Sequence, residues 1–214
     1  MTERRFSPLD RLIQGLDQAL HTTLGPAPPP SRPNPGAPHA EAELTAAERQ
    51  LAGRLMRINH AGEISAQALY QGQALTARLP TVRDKMEQAA SEENDHLAWT
   101  EERIRELGTH TSLLAPLWYA GSFAIGAFAG IAGDKWSLGF VVETERQVIR
   151  HLDSHLARLP AYDTRDRAIL EQMKDDEAHH ATTALAAGGA ELPAPMKSLM
   201  ALTSKVMTGT AYWI

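Results

Sequence analysis

Two short tetrads carry the chemistry of this sequence. Glu93-Asn94-Asp95-His96 recurs as Glu177-Ala178-His179-His180, each reading Glu-x-x-His. On an α-helix, residues three apart share a face, so each tetrad aims a carboxylate and an imidazole at one point. A lone Glu-x-x-His arises often by chance. Here each copy has a further glutamate upstream at nearly the same distance: Glu63 lies 30 residues before Glu93, and Glu145 lies 32 before Glu177. Four carboxylates and two imidazoles form a donor set for a pair of cations. Oxygen-rich ligation suits Fe or Mn, whereas soft metals want thiolate, and the chain has no cysteine.

The elements that must hold these residues are helical. Pro80 marks a turn between Glu63 and Glu93, and Pro160 one between Glu145 and Glu177. At the helical rise, Glu63 to Arg78 is about 22 Å and Val82 to Glu93 about 17 Å; the second hairpin gives about 21 Å out and about 20 Å back. In each hairpin the lone glutamate and the Glu-x-x-His pair return to about the same height. Two such hairpins predict an all-α, ferritin-like four-helix bundle with extra apolar and amphipathic helices, whose ligand set this pattern matches.

The apolar stripes agree. Met56, Asn59, Glu63, Ala66 and Tyr70 share a face on a helix within 41–78. A second helix is expected from about Thr81, with Thr81-x-x-Asp84 as its capping box, to Leu107 before Gly108. Its stripe includes Val82, Met86, Glu93, His96 and Ile104. A third, over about 136–159, carries Val141, Glu145, Val148, Ile149 and Leu152, which turns Glu145 inward and predicts that Glu143, about 200° round the helix, faces water. The fourth, about 164–187, carries Ile169, Met173, Glu177 and His180. No Lys or Arg is expected on these stripes. An unpaired buried carboxylate costs several kcal/mol, so two divalent cations against four glutamates, with neutral histidines, are the natural counter-charge.

Composition narrows the function classes. The 214 residues are 43% hydrophobic, enough for a core, and a net charge of -5 without a basic cluster argues against nucleic-acid binding. The first residues, MTERRFSPLD, lack an apolar run, so no secretory signal is expected. Residues 1–24 are read as an N-terminal amphipathic helix, with Leu9, Leu12, Ile13, Leu16 and Leu20 at helical spacing, and 25–40 as a proline-rich, extended linker. The main domain then spans 41–214: hairpin one 41–108, an apolar crossover 111–133, hairpin two 136–188, and a C-terminal interfacial segment 193–214. The crossover has no charged residue and is long enough to span a bilayer. A true span would put the two hairpins on opposite membrane faces, so a helix lying on or dipping into the surface is expected, with a helix buried wholly against protein as the alternative. The C-terminal segment, with Lys197, Lys205 and a Tyr212-Trp213-Ile214 end, suits the same interface, and equally a helix capping the end of the bundle.

Arg57-Ile58-Asn59-His60-Ala61-Gly62-Glu63 resembles the HAGE signature of the demethoxyubiquinol hydroxylases, di-iron monooxygenases of ubiquinone biosynthesis. The similarity continues through Glu92–His96, Val142–Glu145 with His151, and Asp176–His180, over roughly residues 40–214. The resemblance implies two Fe ions, one held by Glu63, Glu93 and His96, the other by Glu145, Glu177 and His180, with Glu93 and Glu177 bridging. It implies O2 as co-substrate, one oxygen atom of which enters the ring of a membrane-embedded polyprenyl quinol. It also implies a peripheral membrane protein on the cytoplasmic face of the inner or cell membrane. A homo-oligomer or membership of a ubiquinone-biosynthesis complex is compatible with it. His151 matches a family position near the metals, suggesting an outer or proton-handling role; His60 is a candidate for a similar role or an ordinary histidine. Competing readings are a ferritin-type ferroxidase, a peroxidase or Mn catalase sharing the ligands, and a quinone-carrier or assembly component without turnover.

Overall fold

The computed structural model describes residues 15, 17 and 19–214. Most of the amphipathic helix predicted over 1–24 lies outside the described residues; residues 19–24 are helical. Six helices follow: α1 (Ala46–Thr76), α2 (Pro80–Glu106), α3 (Ala115–Ala132), α4 (Asp134–Arg158), α5 (Thr164–Ala186) and α6 (Ala194–Ala211). No strand occurs among the described residues. The protein is an all-α, ferritin-like bundle in which α1–α2 and α4–α5 are the two hairpins.

Local chemistry sets the helix ends. Thr45 and Glu48 form a reciprocal capping box at the start of α1, satisfying two donors that have no partner within the helix. The box expected at Thr81 does not form. α2 starts one residue earlier with Pro80 in its first turn and no side-chain cap, where proline's missing N–H costs nothing. Asp134 instead accepts the N–H groups of Arg78 and Leu79 at 3.0 and 2.9 Å, tying the α1–α2 turn to the start of α4. Gly108, at φ 72°, ends α2 in the left-handed region that a side chain disfavours.

The core divides into two clusters along the bundle. One joins Met56, Trp99, Leu152, Ile169 and Met173. The other joins Tyr70, Val82, Met86, Val141 and Leu138. On α1, α2, α4 and α5 alike, the predicted ligands fall in sequence between the residues given to the two clusters. The site is thus a polar layer between two apolar plugs.

The crossover helix α3 packs along α1 through small residues. A Cβ on Gly126 would sit 2.1 Å from the carbonyl oxygen of Leu69, and one on Gly72 would sit 2.3 Å from that of Phe123. Glycine is required here by backbone approach. The opposite face of α3 exposes Leu117, Phe128 and Ile131; α6 exposes Leu199, Leu202 and Val206, and Trp213 just beyond it is exposed too. α3 is long and apolar enough to cross a membrane, with a mean hydropathy of 1.3.

Two expectations are corrected. Glu143 does not face water: it is 6% exposed. Gln147 and Arg150 donate to it at 3.0 and 3.2 Å, and Lys197 of α6 lies 3.9 Å away. The chain folds α6 back over that side of α4, which a bundle of two hairpins alone leaves open. Arg103 is also buried, beside Ile104 on α2. Its charge is met by Glu41, Glu106 and Asp166, ten residues and about 15 Å along the helix from Glu93. It therefore offers the glutamate layer no counter-ion.

Candidate metal centre

All six predicted ligands converge. Glu63, Glu93, His96 and Glu177 bring one ligand atom each within 4.8 Å of one another, as do Glu145, Glu177 and His180. Every one is buried. Each helix contributes by the register already described: Glu63 from α1, Glu93 and His96 from α2, Glu145 from α4, Glu177 and His180 from α5.

The inner geometry is nearly symmetric. Glu93 sets one oxygen 3.1 Å from His96 Nδ1 and the other 3.5 Å from His180 Nδ1. Glu177 does the same in reverse, at 3.4 Å from His96 and 3.3 Å from His180. Both carboxylates therefore spread between the two imidazoles, while Glu63 lies 3.5 Å from His96. On α4, Glu145 Oε2 is buried with no hydrogen-bond partner, and so is Glu93 Oε1. Buried oxygens left without partners are costly, and a bound cation is the partner that this donor set fits.

The outer faces of the imidazoles are also occupied. His96 Nε2 lies 2.9 Å from Asp176 Oδ2, and His180 Nε2 lies 2.7 Å from Glu92 Oε2. Each partner immediately precedes the other tetrad's glutamate. Such carboxylates orient a ligating imidazole and raise its basicity. Tyr70 donates from its hydroxyl to Glu145 Oε1. The sequence placed Tyr70 on the Glu63 stripe as packing. Its hydroxyl seven residues, or two turns, from Glu63 was the available signal, as was the acid preceding the glutamate in both tetrads.

Electrostatics follow from crowding acids in a dry layer. Burial first, then the charge of Glu93, pushes the Glu63 carboxyl well above the usual range. Burial and Glu177 do the same to Glu145. Burial opposes charge on the imidazoles but is outweighed: Asp176 and Glu177 hold His96 well above its ordinary value, and Glu177 and Glu93 push His180 up to about 9. Glu177 is held below the usual carboxylate range, against burial, by His180 and His96. The buried carboxyls of Glu63 and Glu145 and both imidazoles are thus shifted toward their protonated forms. Metal ligation requires neutral imidazole and carboxylate, so a cation displaces those protons.

His151 stands elsewhere. It is half-buried on α4, its Nε2 3.4 Å from Ser204 Oγ of α6 and its ring 6.3 Å from that of His155. An open cavity of about 300 Å³ is lined by both histidines with Gln147, Arg150 and Lys205. His155, unremarked in the sequence, is buried and pairs with Asn59 Oδ1 at 2.7 Å. His60 is buried, with Nδ1 unpartnered; burial lowers its pKa to about 4. It lines a small cavity with Thr22, Thr23, Leu97 and Glu101.

Comparison with known proteins agrees with this architecture. The family model described as "Ubiquinone biosynthesis protein COQ7" matches residues 50–211. A 3-demethoxyubiquinol 3-hydroxylase from Nitrosococcus oceani is 61% identical over 214 residues, covering all of both chains. Proteins of the same name from Stutzerimonas stutzeri and Acinetobacter baumannii are 59% and 56% identical over 213 and 211 residues, covering at least 99% of each chain. These alignments take in the first forty residues, which the similarity recognised from motifs left out. On the family match and on full-length identity, the chain belongs to the COQ7 family of ubiquinone biosynthesis proteins.

Proposed function

We propose that this chain is a 3-demethoxyubiquinol 3-hydroxylase, hydroxylating the benzoquinol ring of a polyprenyl methoxy-methyl-benzoquinol late in ubiquinone biosynthesis. The single observation that carries this reading is the layer of four buried glutamates and two buried histidines with unpartnered oxygens. Its relatives' shared name supplies the reaction. Two iron ions held there would supply the activation of O2 for this hydroxylation. Glu63, Glu93 and His96 would hold one, Glu145, Glu177 and His180 the other, with Glu93 and Glu177 spanning both.

The chain's own residues do the rest. Asp176 and Glu92 keep the imidazole Nδ1 atoms turned inward. Tyr70 fixes one oxygen of Glu145 and leaves the other free. The two apolar clusters exclude water from both ends of the layer. The exposed apolar faces of α3 and α6 suit a protein resting on the cytoplasmic face of a membrane, where a polyprenyl quinol resides.

The test is turnover of iron-loaded protein with a demethoxyubiquinol analogue, reductant and 18O2. The expected result is one labelled oxygen in the hydroxylated ring. An unlabelled or unhydroxylated product, with iron bound and kept reduced, overturns the proposal.

A further inference from the structure

The proline-rich segment is docked on the bundle rather than free. Ala27 N–H donates to Glu101 at 2.7 Å, and Asn34 Nδ2 to Glu102 at 2.6 Å. Between them, Ser31 N–H donates to Asp95 Oδ1 at 2.6 Å. Arg32 Nε donates to Asp95 Oδ2 at 2.7 Å, and its terminal nitrogens reach both oxygens of Asp176, at 3.0 and 2.8 Å. The guanidinium lies 4.9 Å over the Trp99 ring. Asp95 and Trp99 belong to α2 and Asp176 to α5, so Arg32 joins the two hairpins beside the ligand layer.

One atom gives this contact its meaning. Asp176 Oδ2 is the oxygen that faces His96 Nε2 at 2.9 Å and also meets Arg32 at 2.8 Å. We propose that Arg32 is a positioning residue: it fixes Asp176 against His96, and the segment carrying it is a strap that retains metal. An exposed ion pair contributes little. This one is anchored on a carboxylate whose side chain is 2% exposed, uses the planar fork of arginine on two acids, and comes from a segment whose prolines reduce the entropy lost on docking. Lysine has one point charge and cannot span both acids with the same geometry.

The inference rests on reading the layer as a metal site. The experiment compares full-length wild type, Arg32→Gln, Arg32→Lys and Arg165→Gln. Arg165 is a control that loses the same charge in the Glu41–Glu106 network away from the ligands. Each is loaded anaerobically with Fe(II), and separately with Co(II) for its visible spectrum. Metal transfer to a chelator is timed, and the melting temperature of the metal-free protein is measured. Arg32→Gln is expected to release metal about tenfold faster or more, the scale of losing an outer partner, with a changed Co(II) spectrum and a metal-free melting temperature matching that of Arg165→Gln. Arg32→Lys falls between. Unchanged release in Arg32→Gln, or equal acceleration in Arg165→Gln, overturns the strap while the metal reading stands. Wild type that takes up no metal overturns both.

Discussion

His96 and Asp176 come from opposite hairpins, yet Nε2 of one lies 2.9 Å from Oδ2 of the other. The mirror contact, His180 with Glu92 at 2.7 Å, crosses in the other direction. Asp176→Ala removes the group that orients His96. Metal affinity should fall about 10–100-fold, read by titration of the metal-free protein, while helix content by circular dichroism is unchanged.

Metal uptake should strengthen with pH. His180 is raised to about 9 and His96, Glu63 and Glu145 are raised too, so metal competes with their protons. Apparent affinity should climb from pH 6 to 9, with proton release on binding in a weakly buffered titration. The metal-free protein shows the linked effect. A group whose folded pKa exceeds its unfolded one stabilises below the unfolded value, and that stability is lost through the folded value. For His180 the window runs from its ordinary 6.5 to about 9. The metal-free melting temperature should fall across that range, and the metal-loaded one should fall less.

Tyr70→Phe leaves Glu145 Oε1 without its donor while keeping the ring. Stability of the metal-free protein should drop by about 1–3 kcal/mol, and hydroxylation should slow. Equal stability and equal turnover by denaturant titration and assay would assign Tyr70 to packing alone.

Gly126→Ala drives a methyl into the Leu69 carbonyl, 2.1 Å from the ideal Cβ position. α3 must move off α1, at about 1–3 kcal/mol. Gly121→Ala, on the same helix with nothing within 4 Å, should be neutral or stabilising by up to about 1 kcal/mol. Thermal melts of the pair separate close approach from helix propensity.

Phe128 is 72% exposed, and Leu117 and Ile131 share its outward face. Changing all three to Ser should weaken binding to lipid vesicles by about tenfold per residue, given about 1.5–3 kcal/mol for each large apolar side chain buried. Melting temperature should stay near wild type. Undiminished vesicle flotation would remove α3 from the membrane contact.

Much of this was legible because the ligands break apolar stripes at helical spacing. Glu145 was separated from Glu143 by that spacing alone, and the structure buries Glu145 in the layer. The same logic failed for Glu143, since periodicity describes one helix against one core and says nothing of a later helix arriving on the other side. Arg32 was invisible for a related reason: proline density marks a segment as irregular but not what it lies against. The Thr81 box failed because Pro80 already satisfies the helix start, and the side chain that helps came from Asp134, fifty-odd residues on.

The crossed pairing of His96 with Asp176 and His180 with Glu92 makes neither half of the chain self-sufficient. A hairpin alone holds an imidazole but lacks the carboxylate that steers it, and Glu177 belongs to both clusters of candidate ligands. Loading must therefore follow docking of the halves.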